Sequence, residues 1–127
     1  VGKTMKILTT TNEKYVPVVS NLLKTFEYYH PDVEVIVSCV NVTQTSIEKL
    51  ASLNKNSSFI IENINFQTQE HEKNYCAHNR VFHMPSLMSR FKTDIFWLDA
   101  DGYLRGDISK FFECTAGYKV FYFSRGV

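Results

Sequence analysis

Residues 96–107 read FWLDADGYLRGD, and this stretch joins the end of an apolar run to two closely spaced carboxylates. The run over residues 95–98 predicts a short buried strand. Asp99 and Asp101 follow where the backbone must turn, which allows both carboxylates to face one cation. Hard oxygen ligands of this kind suit Mg²⁺ or Mn²⁺, which usually bind phosphate oxygens of a substrate as well. The stretch therefore predicts a divalent metal site at the carboxyl end of a strand, where α/β sheets bind ligands. The alternative is that the two aspartates only stabilise a turn before Gly102.

Length and composition fit one folded domain over residues 1–127. The chain is 44% hydrophobic and 21% charged, which is ordinary for a globular protein. A net charge of +1 argues against a nucleic-acid binder with a broad basic surface. No apolar run is long enough to span a bilayer. The four residues before Met5 are expected to be a cloning remnant, with a natural extension as the alternative.

The cysteines indicate the redox environment of the protein. There are three, Cys39, Cys76 and Cys114, an odd number at wide spacing. Such a pattern predicts reduced, buried thiols and no disulfide framework. We therefore expect a cytoplasmic protein.

Strand and helix patterns alternate along the chain. Apolar or β-branched runs predict strands at residues 5–10, 33–40, 58–64, 95–98 and 120–124. A first helix is predicted between Asn12, its N-cap, and the His30-Pro31 pair, and residues 66–73 are expected to form a loop. The alternation predicts an α/β fold, a Rossmann-like and mainly parallel sheet flanked by helices, with right-handed crossovers.

Three further helices are predicted from capping and breaking signals. Residues 45–48 read TSIE, the form of a capping box, and should begin the second helix. Residues 74–90 carry apolar side chains at helical spacing, and Pro85 is expected to kink or split that helix. Asp107 should cap a brief helix over residues 108–112.

Three segments, in order, resemble one enzyme family. They are LTTTNEKY at residues 8–15, the stretch from Tyr75 to Arg80 that leads into Leu87, and residues 95–112 with their LDAD and GDI sequences. Together they are similar to nucleotide-diphospho-sugar glycosyltransferases of the GT-A fold. The similarity is greatest to family 8, the group of glycogenin and the lipopolysaccharide galactosyltransferases. The resemblance implies a minimal GT-A fold and a metal-dependent transferase with a UDP-sugar donor, by analogy UDP-glucose or UDP-galactose, and an unknown acceptor.

The resemblance also implies roles for individual residues. Mn²⁺ or Mg²⁺ would be held by Asp101, with Asp99 either as a second metal ligand or hydrogen-bonded to the ribose or sugar of the donor. Arg80 would lie near the diphosphate, because a guanidinium is a planar, permanently charged partner for phosphate. Tyr15 would stack on uracil. The full set of expected nucleotide-binding residues is Thr9, Thr11, Asn12, Tyr15, Arg80, Asp99, Ala100 and Asp101. Catalytic residues are not identified, and His30, His71, His78 and His83 are weaker candidates for ligand contacts.

The chain departs from the family after the acidic motif. Only 26 residues follow Asp101, and none is a histidine that could complete the metal shell. We therefore expect an open donor site, slow hydrolysis of the UDP-sugar, and a second copy of the chain or another protein as the missing wall, with residues 120–123 as a candidate contact. One alternative is a nucleotide-sugar-binding module without turnover. Another is a phosphatase of the haloacid-dehalogenase type, which is disfavoured because its acidic motif belongs on the first strand.

Overall fold

The computed structural model of the chain describes residues 5–110 and Glu113. Within these residues, the elements with defined bounds are four strands, four α-helices and one short 3-10 helix, Glu13–Tyr15. The strands are β1 (Lys6–Asn12), β2 (Glu34–Val40), β3 (Ser57–Glu62) and β4 (Ile95–Trp97). The helices are α1 (Val16–Tyr29), α2 (Gln44–Leu53), α3 (Gln69–His78) and α4 (Arg80–Phe91).

The strands form one parallel sheet in the order β3-β2-β1-β4. β1 pairs with β2 from Lys6 to Asn12 on one side, and with β4 from Lys6 to Leu8 on the other. The predicted α/β architecture with a mainly parallel sheet is therefore confirmed. The chain leaves β1 towards β2 and later returns to β4 on the other side of β1, so the strand order reverses between β1 and β4. In open α/β sheets, ligands bind at the carboxyl ends of the strands beside such a reversal.

Alternate residues of the strands enter two separate hydrophobic cores. Ile7, Val35 and Val37 pack with the buried faces of α1 and α2. Leu8 and Ile36 pack on the opposite face of the sheet with Leu87 of α4. This alternation, with a period of two, explains why β1 and β2 are apolar on both faces, as expected of central parallel strands.

The helical stretch is split at Asn79 and not at Pro85, so a split at Pro85, one of the two predicted effects of this proline, is wrong. Pro85 lies inside α4 on an exposed face. Because proline has no backbone N–H, the carbonyl of Val81 loses its helical hydrogen-bond donor. Val81 is 65% exposed, so water can take the place of that donor. Asn79, by contrast, is fully buried and makes its hydrogen bonds to other elements. Tertiary contacts therefore decide where this helix ends.

Two other helix starts differ from the predictions. The N-cap of α2 is Thr43, whose hydroxyl accepts a hydrogen bond from the backbone N–H of Ser46, so the helix begins two residues before the predicted capping box over residues 45–48. The stretch predicted as a loop over residues 66–73 already enters α3 at Gln69, because Thr68 caps it in the same way. In both cases a threonine hydroxyl accepts a hydrogen bond from a backbone N–H that has no acceptor within the helix.

The remaining predictions concern the end of the chain. Asp107 accepts a 2.7 Å hydrogen bond from the N–H of Ser109, in keeping with its predicted capping role. Most of the predicted helix beyond Lys110 and the predicted strand at residues 120–124 lie outside the described residues. None of the helices in the described part of the chain is both long and apolar enough to cross a membrane.

Candidate functional site

The acidic pair lies in a tight turn directly after β4. The N–H of Gly102 donates a 2.9 Å hydrogen bond to the carbonyl of Asp99, which closes a four-residue turn. A Cβ on Gly102 would approach that carbonyl oxygen to 3.2 Å, so a side chain there would crowd the turn. Asp99 and Asp101 are both exposed at the carboxyl end of the sheet.

The chemistry of this turn fits a divalent cation that also binds phosphate. Among the described residues, no group of three or more histidine, cysteine, aspartate or glutamate side chains is arranged to hold a metal ion. Two exposed carboxylates are nevertheless a suitable protein share for Mg²⁺ or Mn²⁺. These ions are usually bound by one or two carboxylates, with phosphate oxygens and water completing the shell.

Trp97 connects the acidic turn to Arg80. Its indole Nε1–H donates a 3.2 Å hydrogen bond to Oδ1 of Asp99. The guanidinium carbon of Arg80 lies 5.0 Å from the centre of the Trp97 ring, within the range of a cation–π contact. Arg80 also donates a 2.9 Å hydrogen bond to the carbonyl of Ala77. One aromatic residue thus contacts a cation through its ring face and a carboxylate through its ring N–H.

Asn79 fixes the start of α4, and therefore Arg80, against the sheet. Its side-chain oxygen accepts a 2.8 Å hydrogen bond from the Thr10 hydroxyl, and its Nδ2 donates a 3.0 Å bond to the Ser38 hydroxyl. Thr10 and Ser38 belong to the neighbouring strands β1 and β2. The sequence reasoning missed Asn79 and Thr10. The available signal was an asparagine inside a helical pattern, since its amide competes with the helix for hydrogen bonds.

The turn after β1 is held by Asn12 and Glu72. The Oδ1 of Asn12 accepts a 3.3 Å hydrogen bond from the N–H of Tyr15, which confirms Asn12 as an N-cap, in this case of the 3-10 helix. Its Nδ2 donates a 3.0 Å bond to Glu72 in α3, and Glu72 also accepts a 3.3 Å bond from Asn41. The Tyr15 side chain is 41% exposed beside this turn. A folded α3 therefore holds the Asn12 amide in one orientation.

The other expected nucleotide-binding residues are less accessible. Thr9 and Thr11 are buried on the α1 face of the sheet, opposite the face that carries Trp97. The Thr11 hydroxyl donates to the carbonyl of Asn12 at 2.9 Å, whereas that of Thr9 is buried without a hydrogen-bond partner among the described residues. Ala100 is half-buried and packs against the core.

Three of the four histidines have a ring nitrogen that is hydrogen-bonded within the protein. Nε2 of His83 lies 3.1 Å from Glu62, and Nδ1 of His78 lies 2.8 Å from the carbonyl of Asn74. The buried His30 accepts a 2.8 Å hydrogen bond from the N–H of Ile108. His71 is exposed on α3. Within the described ranges, none of them joins Asp99 and Asp101 in a set of three potential metal ligands.

Glu62 has its charged form stabilised by two neighbours. The Tyr75 hydroxyl donates a 2.7 Å hydrogen bond to one of its oxygens, and His83 contacts the other. Burial raises the pKa of Glu62, but the hydrogen bonds from Tyr75 and His83 outweigh it, so that the pKa lies below the ordinary 4.5. Burial also raises the pKa of Tyr75 to about 12, reinforced by the contact with Glu62, so the phenol remains a donor. This cluster links β3 to α3 and α4.

A separate cleft of about 240 Å³ lies towards the amino-terminal ends of the strands, opposite the ends that carry the acidic turn. It is lined by residues at the amino ends of β2 and β3 and the carboxyl end of α4, among them Glu34, Ser58 and Arg90. The strand ends that carry the acidic turn point away from this cleft, which therefore belongs to another part of the surface.

Comparisons with known proteins identify the fold. No protein-family model and no curated protein matches the chain. Solved structures do match it, among them the three that follow. The galactosyltransferase LgtC in complex with donor and acceptor sugar analogs has a TM-score of 0.60 and 15% identity, over 86% of this chain and 42% of that one. An active-site mutant of LgtC has a TM-score of 0.56 and 16% identity, over 84% of this chain and 41% of that one.

The third structure is the apo form of WbbM, a bifunctional glycosyltransferase, with a TM-score of 0.60 and 14% identity over 89% of this chain. The chain spans 42% and 41% of the two LgtC chains and 21% of the WbbM chain. At these identities the similarity concerns the fold. The chain therefore has the α/β fold of glycosyltransferases such as LgtC and WbbM, and the resemblance indicated by its three sequence segments is confirmed at the level of the fold.

Proposed function

We propose that this chain forms the donor-binding part of a glycosyltransferase that uses a UDP-sugar and a divalent cation. The observation that carries the proposal is the Arg80–Trp97–Asp99 contact at the carboxyl ends of β1 and β4. In this contact a guanidinium lies against the ring whose N–H is bonded to the acidic turn, at the carboxyl ends of strands where sheets of this topology bind ligands. The shared fold with LgtC and WbbM supports the same reading.

The diphosphate end of the donor would bind at this contact. Asp99 and Asp101 would hold Mn²⁺ or Mg²⁺, which when bound acts as a Lewis acid toward the leaving diphosphate. Arg80 would contact phosphate oxygens with its planar guanidinium, a geometry that matches phosphate. The negative charge that develops on the diphosphate as the sugar leaves would thus meet a fixed positive group.

The uridine end would bind at the turn after β1. Tyr15 is exposed enough to offer a ring face to a base, and stacking of this kind is available to any nucleobase. The Asn12 amide, held by Glu72, would add directional hydrogen bonding. Thr9 and Thr11 would contribute through their backbone, because their side chains are buried. UDP-glucose and UDP-galactose are the donors to test first.

Calorimetric titration with UDP tests the proposal. We expect binding in Mn²⁺ and the loss of most affinity in EDTA. Asp101→Asn should lower the affinity by about tenfold or more, because the neutral amide binds a divalent cation more weakly than a carboxylate does. Asp94→Asn is the matched control, since Asp94 is also exposed but precedes β4 at the other end of the strand. UDP affinity that is the same with and without metal would contradict the metal role, and equal affinity for ATP would contradict the uridine assignment.

Turnover separates a transferase from a binding module. The release of UDP from UDP-glucose or UDP-galactose, with or without a sugar acceptor, should be detectable and should depend on Mn²⁺. Metal-dependent binding with no release of UDP would identify a nucleotide-sugar-binding module instead.

A further inference from the structure

We propose that Trp97 is a positioning residue that holds Arg80 and Asp99 as one unit, so that cation binding and diphosphate binding are coupled through its indole ring. The inference rests on the proposed donor site and adds a residue to it. Trp97 does not itself contact the reacting groups. It acts through the two residues on either side of it.

The edge of the indole ring orients Asp99. The Nε1–H donates to Oδ1 at 3.2 Å, which leaves Oδ2 as the oxygen to face a cation. Asp99 is exposed, so without this bond its carboxylate would be free to rotate in solvent. Hydrogen bonds to a ligating carboxylate typically matter by a factor of about 10–100 in metal affinity.

The face of the same ring holds Arg80. An aromatic ring is negative on its face and positive at its edge, so it attracts a guanidinium from above while its N–H attracts a carboxylate. Arg80 lies 5.0 Å from the ring centre and is fixed on its other side by the Ala77 carbonyl. A single half-buried side chain thus contacts both the proposed phosphate-binding cation and one of the proposed metal ligands.

The first experiment tests the contact itself and needs no ligand. Trp97 is the only tryptophan in the chain, so the protein gives a single indole N–H signal in a proton–nitrogen correlation spectrum. Asp99→Ala should shift that signal and speed its exchange with water, whereas Asp94→Ala should leave it in place. An indole signal that Asp99→Ala does not move would overturn the inference.

The second experiment measures Mn²⁺ binding in the presence of UDP, with free Mn²⁺ counted by electron paramagnetic resonance. Trp97→Phe keeps a ring under Arg80 but removes the N–H donor. We expect Mn²⁺ affinity to fall about tenfold, and the mutual enhancement of Mn²⁺ and UDP binding to fall with it.

Phe91→Leu is the matched control for the loss of an aromatic side chain. The Phe91 ring contacts two cations, Lys6 at 4.7 Å and Arg90 at 5.1 Å, but it lies at the end of α4 remote from the acidic turn. Its replacement should lower thermal stability without changing Mn²⁺ affinity. If Trp97→Phe does not fold, the indole signal of Asp99→Ala decides the question alone.

The outcomes distinguish the two proposals. A wild-type chain that binds neither Mn²⁺ nor UDP would overturn the donor site and the role of Trp97 together. A wild-type chain that binds both, with a folded Trp97→Phe variant that binds them equally well, would overturn only the role of Trp97.

Discussion

The hydroxyl of Thr10 donates a 2.8 Å hydrogen bond to the side-chain oxygen of Asn79, and both residues are buried. This bond joins the central strand to the junction between α3 and α4. It fixes the residue that precedes Arg80, and so connects the interior of the sheet with the candidate donor site.

Replacing Thr10 should therefore reduce stability. Thr10→Val keeps the shape of the side chain but leaves the Asn79 oxygen without its donor, at a cost of about 1–3 kcal/mol. Thr9→Val is the matched control, because Thr9 is an equally buried neighbour whose hydroxyl has no partner in the described structure. That change should be neutral or stabilising. Urea denaturation measures both, and equal effects of the two substitutions would contradict the assigned hydrogen bond.

Uridine recognition should depend on the ring of Tyr15. Tyr15→Ala should weaken UDP binding by about 1–3 kcal/mol if the ring stacks on the base, and Tyr15→Phe should retain most of the affinity. Tyr28→Ala provides a control, because Tyr28 is 79% exposed on α1 and packs edge-on against Tyr29. Calorimetry with UDP and Mn²⁺ gives the comparison. Equal UDP affinity in Tyr15→Ala and the wild type would remove Tyr15 from the site.

Stability should fall in acid, in part through Glu62. The pKa of Glu62 lies below 4.5 in the folded protein. Burial raises this pKa, but the hydrogen bonds from Tyr75 and His83 lower it by more. As the pH falls, the Glu62 carboxylate is therefore protonated in the unfolded chain before it is protonated in the folded protein. The contribution of Glu62 is complete above pH 4.5 and is lost as the pH falls through the lowered folded pKa.

Glu62→Gln should remove this part of the pH dependence. Free energies of unfolding measured between pH 3 and pH 7 should show a smaller loss of stability in acid for the variant than for the wild type. Glu48→Gln, on the exposed surface of α2, should leave the slope unchanged. An identical slope in Glu62→Gln and the wild type would argue against the role assigned to Glu62.

The thiols should react slowly in the native protein. Cys39 and Cys76 are free. Cys39 is fully buried, as predicted, whereas Cys76 is only half-buried, and Cys114 lies outside the described residues. Burial raises the pKa of Cys39 to about 12 and that of Cys76 to about 11, and the thiolate is the form that reacts. Mass spectrometry after iodoacetamide treatment at pH 8 should show Cys39 unmodified until urea unfolds the chain. Labelling of native Cys39 at the rate of the unfolded protein would contradict its burial.

Local signals predicted the parts of this fold that depend on neighbours in sequence. The apolar runs located the four described strands to within about two residues, and the acidic turn after β4 followed from an apolar run ending at two carboxylates. Asn12 was recognisable as a cap because its partner, Tyr15, is three residues away. In each case the physical cause lies within one turn or one strand.

The missed features depend on distant residues. Pro85 is the stronger helix breaker by itself, but Asn79 interrupts the helix because Thr10 and Ser38 supply its partners from two strands. Glu72 gave no local sign that it would hold Asn12. The sequence also did not determine which alternate residues of β1 face which side of the sheet. Thr9 and Thr11 face the α1 core, whereas Thr10 faces α3 and α4.

The short pairing of β4 has a consequence for dynamics. β4 pairs with β1 only along Lys6 to Leu8, whereas β2 pairs along the whole of β1. Detachment of β4 would require less free energy than global unfolding, because it leaves the β1–β2–β3 sheet intact. It would remove Trp97 and both aspartates from Arg80 in one event. A ligand that needs all of them stabilises only the closed form, so it should slow amide exchange in β4 more than in β2 or β3.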